Sequence, residues 1–316
     1  MKKVLLATTA IVASASAAAA DVTLSGSGRF GIVYDSSRDA AGQSKTKIER
    51  RMTVNIDGTG ATDTGLEFGG RIRLRSDEGD TSGAVGSANI WMGNDMFRIT
   101  VGNTDGALVN RIAYFDGTVG LTGLHDADNS FNIGTFQSLL NTYSSRGNAG
   151  DVVRLDYNVG GFGLSVSTDS TGDHLSNGSE DAIAASYNFG DWTVAAGYAK
   201  NANNATTAAG ELDMWSLSAG GQIADFAVNV NYSDLENVGS KAVLSGSYAF
   251  DATTVTAFVA HTDEDSFGSA GIGATGDETE YGIGFTHSLG GAVLAGGISR
   301  DYTEETMADL GVRFAF

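Results

Sequence analysis

The chain has no cysteine and no proline among its 316 residues. Without cysteine there is no disulfide framework, no thiolate-held zinc or iron–sulfur centre, and no thiol nucleophile. Ordinary usage would place about 16 prolines in a chain of this length, so their absence excludes collagen and proline-rich linkers. Basic residues are scarce as well: 19 Lys and Arg stand against 38 Asp and Glu, a net charge of −19 and a pI near 4.4. That balance argues against a nucleic-acid partner, because phosphate binding needs clustered Lys and Arg. Long apolar runs are missing too. Beyond residue 20 nothing approaches the 18 or so consecutive apolar residues of a membrane-spanning helix, so a helical membrane protein is excluded. What is abundant is glycine, 44 residues, about twice the ordinary share. A hydrophobic content of 41% with 9% aromatics is too apolar for a disordered chain.

Residues 1–20 place Lys2 and Lys3 before an apolar run from Val4 to Val12 and a small-residue stretch ending at Ala18, Ala19 and Ala20. This is the layout of a secretory signal cleaved before Asp21, since the run is too short to span a bilayer. Residues 21–316 then form one domain. Losing two lysines, the mature chain carries 17 − 38 = −21 charges.

From Asp21 onward the dominant period is two, which sends alternate side chains to opposite faces of a strand. Val22, Leu24, Phe30, Ile32 and Tyr34 share one face, and Thr23, Ser25, Ser27 and Arg29 the other. Leu66, Phe68, Ile72 and Leu74 likewise oppose Glu67, Arg71, Arg73 and Arg75, and Phe226, Val228, Val230 and Tyr232 oppose Asn229 and Asn231. Such segments fall at 22–34, 47–57, 65–76, 84–92, 96–103, 151–158, 161–169, 181–189, 191–200, 211–220, 224–233, 240–250, 253–262, 279–288, 291–300 and 307–316. The tenth and thirteenth alternate weakly. Sixteen strands of about nine to thirteen residues suit tilted membrane crossings better than the five or six of a globular sheet. Connections after odd strands are long and polar (35–46, 103–150, 169–180, 263–278), whereas those after even strands shrink to tight turns. Long loops on one side and tight turns on the other mark an outer-membrane barrel. A soluble sandwich would show no such parity and would need both polar faces outward.

The final segment, ADLGVRFAF at 308–316, places Leu310, Val312, Phe314 and Phe316 on one face and ends on an aromatic. Together with DVTLSGSGRFGIVYD at 21–35, TDTGLEFGGRIRLR at 62–75 and the long insertion after the fifth strand, it resembles the Rhodobacter-type trimeric porins of alphaproteobacteria. The resemblance covers essentially the whole mature chain. It implies a homotrimer in the Gram-negative outer membrane, reached through the periplasm. It also implies that Phe316 is the signal read by the outer-membrane assembly machinery, and that small lipid-parity residues such as Gly26, Gly28, Gly70 and Ala88 admit neighbouring barrels.

Other motifs are weak. Residues 26–31 and 271–276 satisfy GxGxxG, but the first lies within a strand and the second within a loop, so neither has the strand-to-helix setting of a dinucleotide site. His125, His174, His261 and His287 are too scattered for a metal pair or a triad. No cofactor is expected. The acidic runs at 263–265, 277–278 and 304–305 are solvated loop surface whose carboxylates also suit loop-bound Ca²⁺ or Mg²⁺ bridging to lipopolysaccharide.

The informative pattern is arginine parity. Arg29, Arg51, Arg71, Arg73, Arg75, Arg98 and Arg154 all fall on the polar side of the first six strands, where a barrel interior spares them the 2–4 kcal/mol or so of facing lipid at mid-depth. Arg50 takes the lipid parity near the outer end of its strand, where snorkelling or a subunit contact accommodates it. The connection 103–150 is far longer than an idle loop. It carries Asp105, Asp116, Asp126 and Asp128 with apolar Ile112, Tyr114, Phe115, Leu121, Phe131 and Phe136. Its apolar side is expected on the inner wall and its carboxylates across the pore from the arginines. The expectation is therefore a sixteen-stranded antiparallel transmembrane β-barrel with a long infolded constriction loop after strand 5. It would act as a general diffusion porin for small hydrophilic solutes and ions, weakly cation-selective, and not as an enzyme. A substrate-specific porin would favour a ladder of lumen aromatics, but most strand aromatics share the lipid parity. A barrel hydrolase is the reading from another class.

Overall fold

The fold is that of a computed structural model, which describes residues 21–39, 41–113, 119–124, 143, 145–146, 151–169, 179–202, 212–236, 239–263, 279–302 and 304–316. Strands β1 (Asp21–Asp35), β2 (Thr46–Ala61) and β3 (Glu67–Asp77) begin the sheet. The fourth crossing comes in two pieces, Ala84–Val85 and Asn89–Gly93, both paired with β3, so together they form one strand, β4. After β5 (Phe97–Gly102) a short helix, α1 (Ala107–Arg111), lies in the long insertion. Then follow β6 (Val152–Val159), β7 (Phe162–Asp169), β8 (Ser179–Phe189), β9 (Trp192–Ala202), β10 (Leu212–Ile223) and β11 (Phe226–Leu235). The chain finishes with β12 (Gly239–Phe250), β13 (Thr253–Asp263), β14 (Thr279–Ser288), β15 (Val293–Arg300) and β16 (Thr306–Ala315).

Sixteen antiparallel strands therefore close into a barrel. The seam joins β1 to β16, from Ser27 opposite Ala315 to Asp35 opposite Met307. Gly26 and Phe316 exchange both backbone hydrogen bonds at 2.7 and 3.0 Å, so the ladder runs to the last residue. No strand edge remains free at the seam, which is what a spanning sheet requires in lipid. The short connections lie at one rim. Their two-residue turns use the left-handed region at Gly160 and Gly190, and also at Ala224 and Asp251, where no glycine relieves the backbone.

Polarity is inverted relative to a soluble protein. Val22, Leu24, Ile48 and Ile90 on the outer face are all more than 60% exposed. Aromatic pairs band the exterior near the tight-turn rim, as in Tyr187–Phe189 and Phe226–Tyr248, with Trp215–Tyr232 toward the other. The outward glycines of β1 are covered from within the chain: a Cβ on Gly26 would meet the Phe316 ring at 2.5 Å, and one on Gly28 the Phe314 ring at 2.6 Å. These two positions thus hold the chain's own terminal rings, which corrects the expectation that they lie open to a neighbouring barrel. The buried apolar cluster sits inside the barrel, where Val119 and Leu124 of the insertion pack on Val243, Phe258 and Ala260 of β12 and β13. Inward Phe258 and Ala260 are why the thirteenth segment alternates weakly in the sequence, and buried inward Met214 does the same for the tenth.

Candidate functional site

Period two on β1–β3 and the register between them assemble a charged inner wall. Arg29 stands opposite Arg51 on β2 and opposite Arg313 on β16, and Arg51 stands opposite Asp77. Like charges at roughly 6 Å repel by about 0.7 to 3 kcal/mol as the effective dielectric constant falls from 80 to 20, so such a row needs interleaved carboxylates. They come from the strands themselves. The Arg29 guanidinium donates to Glu49 at 2.7 Å, and Arg71 donates to both Asp57 oxygens at 2.6 and 3.3 Å. Arg51 and Arg75 share Asp77, at 2.5 and 2.9 Å. Arg73 donates to Asn55 at 2.8 Å and lacks a carboxylate partner among the described residues. Charge-assisted, partly bidentate bonds of this kind fix each guanidinium's direction.

The described parts of the insertion touch this inner wall at several places. It leaves β5 where β4 is interrupted: Asn103 donates its side-chain N–H to the Ser87 carbonyl and accepts from Asn89 at its own carbonyl, both at 2.9 Å. Helix α1 then packs on β7, β8 and β9. Leu108 is fully buried there, over Gly197, whose Cβ would come within 2.9 Å of the leucine. Ala107 N–H donates to Ser167, Asn110 to Asp156 and Ser165, and Arg111 to Ser165 and the Leu164 carbonyl. Farther on, the Asp309 carboxylate on β16 accepts from Leu121 N–H, Thr122 N–H and the Thr122 hydroxyl at 2.8, 2.7 and 2.7 Å. Gly284 and Gly297 let the Gly120 backbone approach the sheet, where a Cβ would come within 2.6 and 3.0 Å of it.

The returning end of the insertion meets β3. Arg73 lies 4.6 Å from the Tyr143 ring centre and donates to Ser145 at 2.7 Å. Arg146 pairs with Asp77 at 2.9 Å and with Asp80, in the loop after β3, at 2.7 Å. The N–H of Asp77 and the Arg146 guanidinium both donate to Asp80 and hold its carboxyl below the usual range.

A second polar feature lies nearer the tight-turn rim. A recess of about 430 Å³ is lined by residues including Glu67, Trp91, Asp95, Arg98, Arg111 and Asp156. Arg154 is buried there, donating to Asp156, Thr104 and the Asp105 carbonyl. The Arg98 guanidinium stacks 3.7 Å from the Trp91 ring centre. Trp91 and Phe258 are inward strand aromatics, too few and too far apart to make a ladder.

The structure brings Arg29, Arg51, Arg71, Arg73 and Arg75 together on one wall and separates Arg98 and Arg154 into the recess. Asp105 lies by Arg154, with its carboxylate accepting from Tyr143 N–H at 2.7 Å. Asp116, Asp126 and Asp128 lie outside the described residues, as do His125 and His174. Outward-facing Arg50 donates to Ser76 and the Asp77 carbonyl at the loop rim. His287 contacts Thr253, and His261 contacts Thr279 near the opposite rim, so these two form no constellation. Of the acidic loop runs, Glu304 pairs with Arg300 and Glu305 meets Ser36, while 264–265 and 277–278 are not described. Among the described residues no cluster of three His, Asp or Glu side chains could hold a metal ion. Sequence reasoning missed Glu49, Asp57, Asp77, Asp156, Asp309, Arg146 and Arg313. Parity marks the strand residues among them as inward, but their partners depend on cross-strand register.

A family model described as Gram-negative porin matches residues 7–306. The porin of Fuscovulum blasticum is 31% identical over 311 residues, covering 94% of this chain and all of the relative. The porin of Rhodobacter capsulatus is 28% identical over 323 residues, with the same coverage. Among solved structures, a triple mutant of Rhodopseudomonas blastica porin superposes with a TM-score of 0.76 at 31% identity, covering 94% of this chain and all of that one.

Proposed function

The chain belongs to the Gram-negative porin family, and from that premise we propose that it is a weakly cation-selective homotrimeric channel whose insertion narrows each pore. It is an outer-membrane β-barrel that passes small hydrophilic solutes, and it is a channel and not an enzyme. The observation that carries the finer reading is the pairing of a strand-borne charged wall with an insertion whose described parts touch that same inner surface. Fixed charges of both signs across a narrow aqueous gap favour dipolar solutes, which align in the field, over apolar ones, which must displace ordered water.

Cation preference is supported by the mature charge of −21, obtained as 17 − 38. It should be strongest at low salt, since the Debye length falls from about 10 Å at 0.1 M to about 3 Å at 1 M. The basic wall is Arg29, Arg51, Arg71, Arg73 and Arg75, with Arg98 and Arg154 below it. Asp105, Asp116, Asp126 and Asp128 are the acidic residues of the insertion. Changing Asp116, Asp126 and Asp128 to Asn should move the zero-current potential in a 0.1 M KCl gradient toward anions, and an unchanged potential would remove these residues from the pore lining. Removal of residues 1–20, lipopolysaccharide contact at the acidic loops and reading of Phe316 by the assembly machinery belong to the same proposal. Deleting Phe316 should lower the yield of folded outer-membrane protein, and an unchanged yield refutes that role. Protein that runs only as a monomer in mild detergent refutes the trimer.

A further inference from the structure

Most lumen arginines are committed to protein partners, and this makes the exceptions informative. Arg29, Arg51, Arg71, Arg73, Arg75, Arg111 and Arg154 all donate to protein oxygens. Among the described residues Arg98 makes no such bond: its contact there is the stack on Trp91, which covers its face and leaves its N–H edge without a partner among them. Arg313 is also without a hydrogen bond there, but it sits in the like-charged row beside Arg29. Arg98 has a different setting. Glu67 and Arg98 lie on either side of Gly93, each opposite it in the register. Two strand spacings, about 9.6 Å, separate their backbones, and no ion pair joins them among the described residues. Gly93 cannot be replaced without moving β5, because a Cβ would come within 2.3 Å of the Phe97 carbonyl oxygen. The wall between the two charges is therefore bare. Asp95, in the adjoining turn, adds a second carboxylate to the same recess.

We propose that this recess is a subsite for zwitterionic solutes, amino acids and short peptides, binding the carboxylate at the Arg98 edge and the ammonium at Glu67 and Asp95. The volume of about 430 Å³ admits a dipeptide. Planar Arg98, pre-aligned by Trp91, offers a carboxylate two parallel N–H bonds, the strongest geometry available to it. The other carboxylate in the recess, Asp156, is buried and engaged by Arg154, Asn110 and Ser165, so it competes less for the ammonium than exposed Glu67 and Asp95 do. The subsite lies on the tight-turn side of α1, so a solute reaches it after passing the insertion or directly from the periplasmic mouth. It would act as a stepping site that raises the local concentration of zwitterions.

This inference rests on the channel reading, and the experiment separates the two. Single channels are recorded in planar bilayers in 0.1 M KCl at pH 7, and glycylglycine, acetate or methylammonium is added on the periplasmic side. Glycylglycine should produce excess open-channel current noise that saturates with concentration, and acetate and methylammonium should not saturate over that range. Arg98→Ala and Glu67→Gln should each raise the half-saturating concentration about tenfold, with Arg98→Lys between them and the parent. Acetate that saturates as readily as the dipeptide and responds only to Arg98→Ala would overturn the zwitterion site in favour of a simple anion site. Noise that stays linear for all three solutes in channels with normal conductance steps would overturn the subsite and leave the channel reading intact. An absence of conductance steps would remove both.

Discussion

Replacing Asp309 by Ala should loosen the insertion without unfolding the barrel. Asp309 accepts three hydrogen bonds from Leu121 and Thr122, and its backbone belongs to a strand laddered on both sides. Hydrogen bonds to a carboxylate are worth about 1.5–3 kcal/mol each, so the loss is about 5 kcal/mol or more, a factor on the order of 10³–10⁴ in the ratio of attached to detached segment. Apolar contacts remain, because Val119 and Leu124 keep their places against Val243 and Phe258. A buried side chain of that size contributes about 1.5–3 kcal/mol, so the attached state still dominates and detachment becomes a visible excursion. Single-channel records of Asp309→Ala should therefore show increased open-channel noise and brief larger-conductance events, with the thermal unfolding midpoint nearly unchanged. Records identical to the parent in both noise and conductance would refute the tether. A collapse of the midpoint would show that Asp309 holds the barrel and not the insertion.

Three further outcomes are expected. Asp77→Asn withdraws the charge shared by Arg51, Arg75 and Arg146, so the reversal potential at 0.1 M KCl should move toward anions, and an unchanged value would mean the wall does not face the ion path. The Asp80 carboxyl is held below its ordinary value of 3.8 by the Asp77 N–H and Arg146. Such a depressed group stabilises its partner above the ordinary carboxylate range and loses that effect as pH falls through its lowered value. The Asp80–Arg146 latch should thus persist from pH 8 to 5 and release only below about 4. Conductance against pH in parent and Asp80→Asn tests this, and a transition near pH 6 would contradict it. Ala224 has φ of 55°, which costs about 1–2 kcal/mol in a non-glycine residue. Ala224→Gly should raise the unfolding free energy by roughly 0.5–1 kcal/mol after the extra freedom of unfolded glycine is subtracted. A lower urea midpoint would show that the turn is unstrained.

The barrel and its charged lumen were legible because both follow from period two, a local property. Arg29, Arg71 and Arg73 announce the inward face by alternation alone, and closure made the strand count even. Partnership was not legible, since it depends on register. Arg313 adjoins Arg29 because the last strand closes on the first, and Asp309 meets Leu121 across 188 positions of sequence. The weak alternation of the thirteenth segment carried information of its own: Phe258 and Ala260 face inward because the insertion covers them. Trp91 was hidden for a related reason. Its parity places it inside, but only the pairing of β4 with β5 puts Arg98 within stacking distance.

The barrel encloses a continuous aqueous passage, and the decisive measurement is the conductance of the purified, folded protein in a planar bilayer. Discrete, long-lived current steps with a linear current–voltage relation at low voltage are expected, with a zero-current potential in a KCl gradient that favours potassium more at 0.1 M than at 1 M. Folded protein that inserts into the bilayer and produces no steps would contradict it.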